Sequence, residues 1–145
     1  MRRIVLFVGA ALLPFAAMAQ APVASVDAYR GMPLAAGAWS LRLTAGSSEA
    51  SFGVAGRPAR LTLRCDIAAR RVRITRPDRP PGAITIVTSS LTRTLAAPGD
   101  VAAFDPLLDA MAFSRGRYVV TVAGAQALIV PAWPEAARIV EDCRK

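Results

Sequence analysis

The chain has 145 residues, 54% of them hydrophobic, and 18 Lys and Arg against 10 Asp and Glu leave a net charge of +8. It contains no histidine, which excludes a Ser-His-Asp or Cys-His nucleophile system and removes the commonest ligand of catalytic zinc. Its length suits a single domain with a modest core.

Met1, Arg2 and Arg3 make a positive start, residues 4–13 are an uncharged apolar run, and Ala17 and Ala19 are the small residues a signal peptidase reads. The pattern predicts a secretory signal peptide over residues 1–19, cleaved after Ala19. Ten apolar residues fall short of the roughly 20 that span a bilayer, so no membrane span is expected. Gln20 rather than Cys follows the cleavage point, so no lipid anchor is expected. Export places Cys65 and Cys143 in an oxidising compartment, which favours a disulfide between them. They are far from the C-x-x-C spacing of a redox pair, and metal binding would need more ligands.

Residues 20–36 carry two prolines and little periodicity, which reads as an N-terminal tether or loose first turn, and a single β-rich domain is expected over 37–145. Trp39, Leu41 and Leu43 alternate with Ser40, Arg42 and Thr44, and Ala50, Phe52 and Val54 alternate with Ser51 and Gly53, the period of half-buried strands. Leu61, Leu63 and Cys65 oppose Arg60, Thr62 and Arg64. After a short turn Val72 and Ile74 oppose Arg71, Arg73 and Thr75, so this pair reads as a hairpin with an arginine-rich outer face. Pro80, Pro81 and Gly82 mark a turn, followed by strands over 83–88 and 91–95.

Asp105, Pro106 and Asp109 predict a helix over 106–114, with Asp105 as its cap and Gly116 beyond its end. Strands follow over 117–123 and 127–130, and Pro134 opens a last helix to about Cys143. Trp133, Ala136, Ala137, Val140 and Cys143 recur at helical spacing and are expected to form its buried stripe, with Trp39 and Trp133 as core anchors. Cys65 shares the phase of Leu61 and Leu63, so the disulfide is expected to staple the last helix to the sheet. The expected fold is mainly β (α+β): an antiparallel β-meander sandwich or open barrel with a short internal helix and a C-terminal helix packed on the sheet.

The segments from Asp105-Pro106-Leu107-Leu108-Asp109 through Ala112-Phe113-Ser114-Arg115-Gly116-Arg117 and Pro131-Ala132-Trp133-Pro134-Glu135 to Glu141-Asp142-Cys143-Arg144 resemble small secreted proteins of alphaproteobacteria that carry no assigned activity. The resemblance covers the C-terminal third and implies a Gram-negative setting, periplasmic or secreted.

No cofactor is expected, since the glycines are scattered at turns rather than gathered into a phosphate cradle. The only lysine, Lys145, stands at the end of the chain, where little could desolvate and activate it as the base of a serine nucleophile. Asp105 with Asp109, and Glu141 with Asp142, are the carboxylate pairs that glycoside hydrolysis would need, but helix capping and a solvated helix face account for them. The chain therefore reads as non-enzymatic.

Without the two arginines of the signal peptide the charge falls from +8 to +6, and residues 57–79, with eight arginines and two aspartates, hold all of it. Arg60, Arg64, Arg71 and Arg73 are the anion-binding candidates, because guanidinium forks match phosphate and carboxylate oxygens. Outside the cytoplasm the expected partners are anionic lipid, lipopolysaccharide, peptidoglycan or an acidic protein. Nucleic acid is not expected, since the segment has no aromatic residue on which a base could stack. The competing expectations are an enzyme inhibitor or small hydrolase working through surface loops, and a purely structural envelope protein whose arginines are solvated surface.

Overall fold

A computed structural model describes residues 25–145; the predicted signal peptide and residues 20–24 lie outside the described residues. Two antiparallel sheets enclose one core. Sheet A holds β1 (Ala38–Thr44), β2 (Ser47–Gly53), β3 (Leu61–Asp66), β4 (Arg71–Thr75) and β7 (Asp100–Ala102) in the order β1-β2-β3-β4-β7. Sheet B holds β5 (Ile84–Val87), β6 (Thr92–Leu95), β8 (Arg117–Val122) and β9 (Leu128–Pro131) in the order β6-β5-β8-β9. Neither sheet closes into a barrel among the described residues. The helices are α1 (Pro106–Ala112) and α2 (Pro134–Arg144).

The period-two pattern decides which face of sheet A turns inward. Ala50 and Phe52 of β2, Leu61, Leu63 and Cys65 of β3, and Val72 and Ile74 of β4 are buried, while Arg64, Asp66, Arg71 and Arg73 point outward. Tyr118, Val120, Leu128 and Val130 of sheet B, Leu107 and Leu108 of α1 and Ile139 of α2 complete the same core. The hairpin expected of β3 and β4 is present, with Leu63 opposite Ile74 and Cys65 opposite Val72.

The predicted staple is present too. Cys65 and Cys143 are bonded with their Cα atoms 5.5 Å apart, so the inward face of α2 is tied to the middle of sheet A. Both cysteines are fully buried. Asp105 caps α1, accepting a hydrogen bond from the Leu107 amide at 2.9 Å, as its position before Pro106 implied.

Several expectations change. The buried stripe of α2 is Ala136, Ile139, Val140 and Cys143, whereas Trp133 is 46% exposed at the N-cap and Ala137 is half-buried. Spacings of three, one and three from Ala136 keep those residues within one narrow arc, and Trp133 and Ala137 fall on its flank. Trp133 is therefore not a core anchor. Trp39 is one: its ring lies 5.5 Å from that of Phe52 and its Nε1 donates to the Pro131 carbonyl at 3.0 Å. Leu41 and Leu43 are 41% and 62% exposed although they share the phase of Trp39, because β1 is the edge of sheet A. Val54 falls past the end of β2 and is also exposed.

Strand β7 has three residues, too few to show a period. It reaches β4 through Gly99, whose φ is +84° and whose carbonyl accepts from the Ile74 amide at 3.0 Å. A Cβ at Gly99 would stand 2.1 Å from the Ile74 carbonyl oxygen, so only glycine permits this approach. Residues Val26–Tyr29 of the segment read as a tether form a 3-10 turn, and Val26 is buried with Val87, Val119 and Ile129 on the outer face of sheet B.

The Tyr118 side chain is fully buried, and its hydroxyl has no hydrogen-bond partner among the described residues. Burial pushes its ionisation above the usual tyrosine range. Tyr118→Phe removes an unpaired polar atom and is expected to leave stability unchanged or raise it by about 1 kcal/mol in urea unfolding. The unfolded chain loses the tyrosine proton first above about pH 10, so the parent loses stability with rising pH there and the variant loses less. A loss of about 2 kcal/mol at neutral pH would mean that the hydroxyl is satisfied.

Candidate functional site

Antiparallel pairing puts directly opposed residues on the same face, and this brings the arginines together. Arg64 on β3 stands opposite Arg73 on β4, and Arg71 stands opposite Asp66. Arg60 lies one residue before β3, half-buried, its amide donating to the Phe52 carbonyl. The turn between the strands brings Ala69 beside them, and Arg64, Asp66, Ala69, Arg71, Arg73 and Asp100 line an open depression of about 310 Å³ on the outer face of sheet A.

Like charges facing each other across strands are destabilising, and the fold supplies an offset from both sides. The registers line up Arg42, Glu49, Arg64, Arg73 and Asp100 in one row across five strands. Arg64 lies 3.6 Å from Glu49. Arg73 holds Asp100 through two hydrogen bonds, Nε at 2.7 Å and Nη2 at 2.9 Å. The Arg64–Arg73 repulsion is thus flanked by carboxylates from β2 and β7. The hydrogen bonds and charge of Arg73 hold the Asp100 carboxyl below the usual range against the effect of burial, and those same contacts raise Arg73. Arg71 is exposed, and its charge also helps hold down the Asp100 carboxyl.

A second cluster lies at the end of β4. Arg76 has its side chain 1% exposed, bonds both oxygens of Asp78 at 2.9 and 3.0 Å, and donates to the Val120 carbonyl of β8 at 3.4 Å. Asp78 also lies 3.9 Å from Arg60 and 3.6 Å from Arg79. Partial burial opposes the charge on Asp78, yet the hydrogen bonds and charge of Arg76 and the charge of Arg79 hold its carboxyl below the usual range. The sequence reading missed Arg76, Asp78 and Arg79 as one group. A signal was present: Arg76 continues the inward phase of Val72 and Ile74.

Most of the remaining charged candidates have local partners. Besides capping α1, Asp105 pairs with Arg93, and Asp109 receives Arg144 at 2.8 Å. Asp142 is buried between Arg138 and Lys145, which contact it at 3.1 and 2.7 Å, while Glu141 is exposed. Arg117 donates to the Met32 carbonyl at 2.8 Å, which secures the N-terminal segment. Among the described residues no group of three His, Cys, Asp or Glu side chains could hold a metal ion, and no helix is long and apolar enough to cross a membrane. Compared with known protein families, curated proteins and solved structures, the chain matches none.

Proposed function

We propose that the protein is a non-enzymatic binding module that works outside the cytoplasm and holds an anionic cell-envelope component against the arginine-bearing outer face of sheet A. The observation that carries this reading is the placing of Arg64, Arg71 and Arg73 around one open depression, with Arg71 exposed. Guanidinium groups in that array offer several N–H donors to phosphate or carboxylate oxygens. Asp66 and Asp100 beside them, and Glu49 against Arg64, offset most of that charge, which suits weak, reversible capture. The buried Cys65–Cys143 bond fits an oxidising compartment.

Co-sedimentation of the oxidised protein with vesicles of phosphatidylglycerol and phosphatidylcholine tests the reading. Binding is expected to weaken at least tenfold between about 0.1 and 1 M salt, over which the Debye length shrinks from about 10 to about 3 Å. Replacing Arg60, Arg64, Arg71 and Arg73 by Gln is expected to abolish it. Binding that survives both changes would instead make the arginine and carboxylate row a device for holding the sheet together.

A further inference from the structure

A pocket of about 430 Å³ opens where the end of β4 meets the ends of β5 and β8, next to the depression on the sheet face, with which it shares Arg73. Its apolar lining includes Ile84 and Val122 from sheet B, Pro80 and Pro81 from the turn after β4, and Pro98 from the connection into β7. Three of these five are prolines, which lose little conformational freedom when a ligand is held. The volume falls within the roughly 300–1,000 Å³ of small-molecule sites, and the make-up is theirs too: apolar walls with few polar groups at the mouth.

Arg73, Arg76 and Arg79 line the pocket, and the charge beside it is unbalanced. Arg60, Arg76 and Arg79 all lie within 4 Å of the single Asp78 carboxylate, and one carboxylate offsets one guanidinium. Arg76 is fully engaged and buried. Arg79 lines the pocket, is 40% exposed and touches Asp78 through one 3.6 Å contact. Its 3.6 Å contact with Asp78 runs through Nε. A purely hydrophilic anion would leave the apolar walls unmatched, and a neutral apolar molecule would leave the charge unmatched.

We propose that this pocket binds a small amphiphilic carboxylate, its apolar tail against Ile84, Val122 and the prolines and its two oxygens on the Arg79 fork. A planar two-oxygen head suits a single guanidinium fork, whereas a phosphate dianion calls for more donors than Arg79 has to spare. The site shares Arg73 with the sheet-face depression, where Asp100 holds that side chain, but Arg79 and the apolar walls lie outside the depression, so it stands whether or not the sheet face binds an envelope anion.

Calorimetric titration of the oxidised protein with octanoate tests the proposal. Octanoate is expected to bind at one saturable site, at least tenfold tighter than acetate or 1-octanol and no weaker than octyl phosphate. Arg79→Gln is expected to weaken octanoate at least tenfold while leaving vesicle binding unchanged, and Arg64→Gln with Arg71→Gln to leave octanoate unchanged. Gly82→Phe is expected to abolish binding by filling the pocket: a Cβ there meets Val122 Cγ1 at an ordinary 3.9 Å, and the backbone is not in the left-handed region. If that variant does not melt as the parent does, Val122→Trp fills the same space from the opposite wall. The proposal is overturned if the parent fails to bind octanoate, if acetate or 1-octanol binds as tightly, if octyl phosphate binds more tightly, or if Arg79→Gln and a folded filling variant bind like the parent.

Discussion

Removing the disulfide, by reduction or by the double substitution of Cys65→Ala and Cys143→Ala, is expected to lower unfolding stability by about 4 kcal/mol. The two cysteines are 78 positions apart, and in the chain-entropy model a closed loop of that size restricts the unfolded chain by about 4.5 kcal/mol. The figure applies because the bond joins elements from opposite ends of the described chain. Helix α2 is the last element and β3 the third strand; besides the disulfide, the core stripe of Ala136, Ile139 and Val140, the Arg144 contacts with Ala103, Asp109 and the Phe104 ring, and the Arg70 bond to the Lys145 carbonyl hold the helix. Both sulfurs are buried, so the double alanine variant also leaves a small void and is expected to be somewhat less stable than reduced protein. Urea unfolding with and without reductant measures the effect, with a steeper dependence on urea once the unfolded chain is free to expand. A loss below about 1 kcal/mol would show that α2 docks without its staple.

Asp78→Ala is expected to cost about 3 to 5 kcal/mol, the range for breaking a buried ion pair from one side. Arg76 is almost completely buried and has one carboxylate as its counter-charge. Without that carboxylate, only the 3.4 Å contact to the Val120 carbonyl remains to it, and Arg60 and Arg79 add repulsion in place of a shared anion. Arg76→Met combined with Asp78→Ala is expected to recover most of the loss, since the stranded charge, rather than the lost bond, carries the cost. A pH series separates this from a packing effect. Asp78 titrates lower in the folded protein than in the unfolded chain. Below about pH 4 the unfolded state therefore takes up the proton first, and stability falls as pH drops toward the depressed folded value. The parent is expected to lose stability over that window and Asp78→Ala to lose less. Parallel curves for the two proteins would remove Asp78 from the account of acid unfolding, though Asp100, held down by Arg73, contributes in the same sense.

The contrast between two arginines shows how far the residue pattern reaches. Arg64 and Arg73 alternate with Leu63, Cys65, Val72 and Ile74, so a period of two placed them on the outer face, and their pairing followed from the short turn between the strands. Arg76 obeys the same period and is therefore inward, but a charged residue past the last apolar position reads as a turn unless its counter-charge is known. That counter-charge, Asp78, sits two residues on, beyond a proline, and it works only because β8 comes from another sheet to offer the Val120 carbonyl. The pocket is of the same kind: its walls come from β5, β8 and two connections that sequence order does not place together.

What the sequence by itself determined is the set of local choices: the alternation of strands β2 to β4, the Asp105 cap, the loss of histidine chemistry, and the two cysteines on inward faces. Each depends on neighbours a few residues away, whose geometry the backbone period dictates. Only the tertiary structure decided which inward faces were covered, leaving Leu41, Leu43 and Trp133 exposed. It alone supplied Glu49 and Asp100 to the arginine row and three arginines to one aspartate. Those outcomes depend on which strand becomes an edge and where β7 returns, and both follow from contacts between residues distant in the chain.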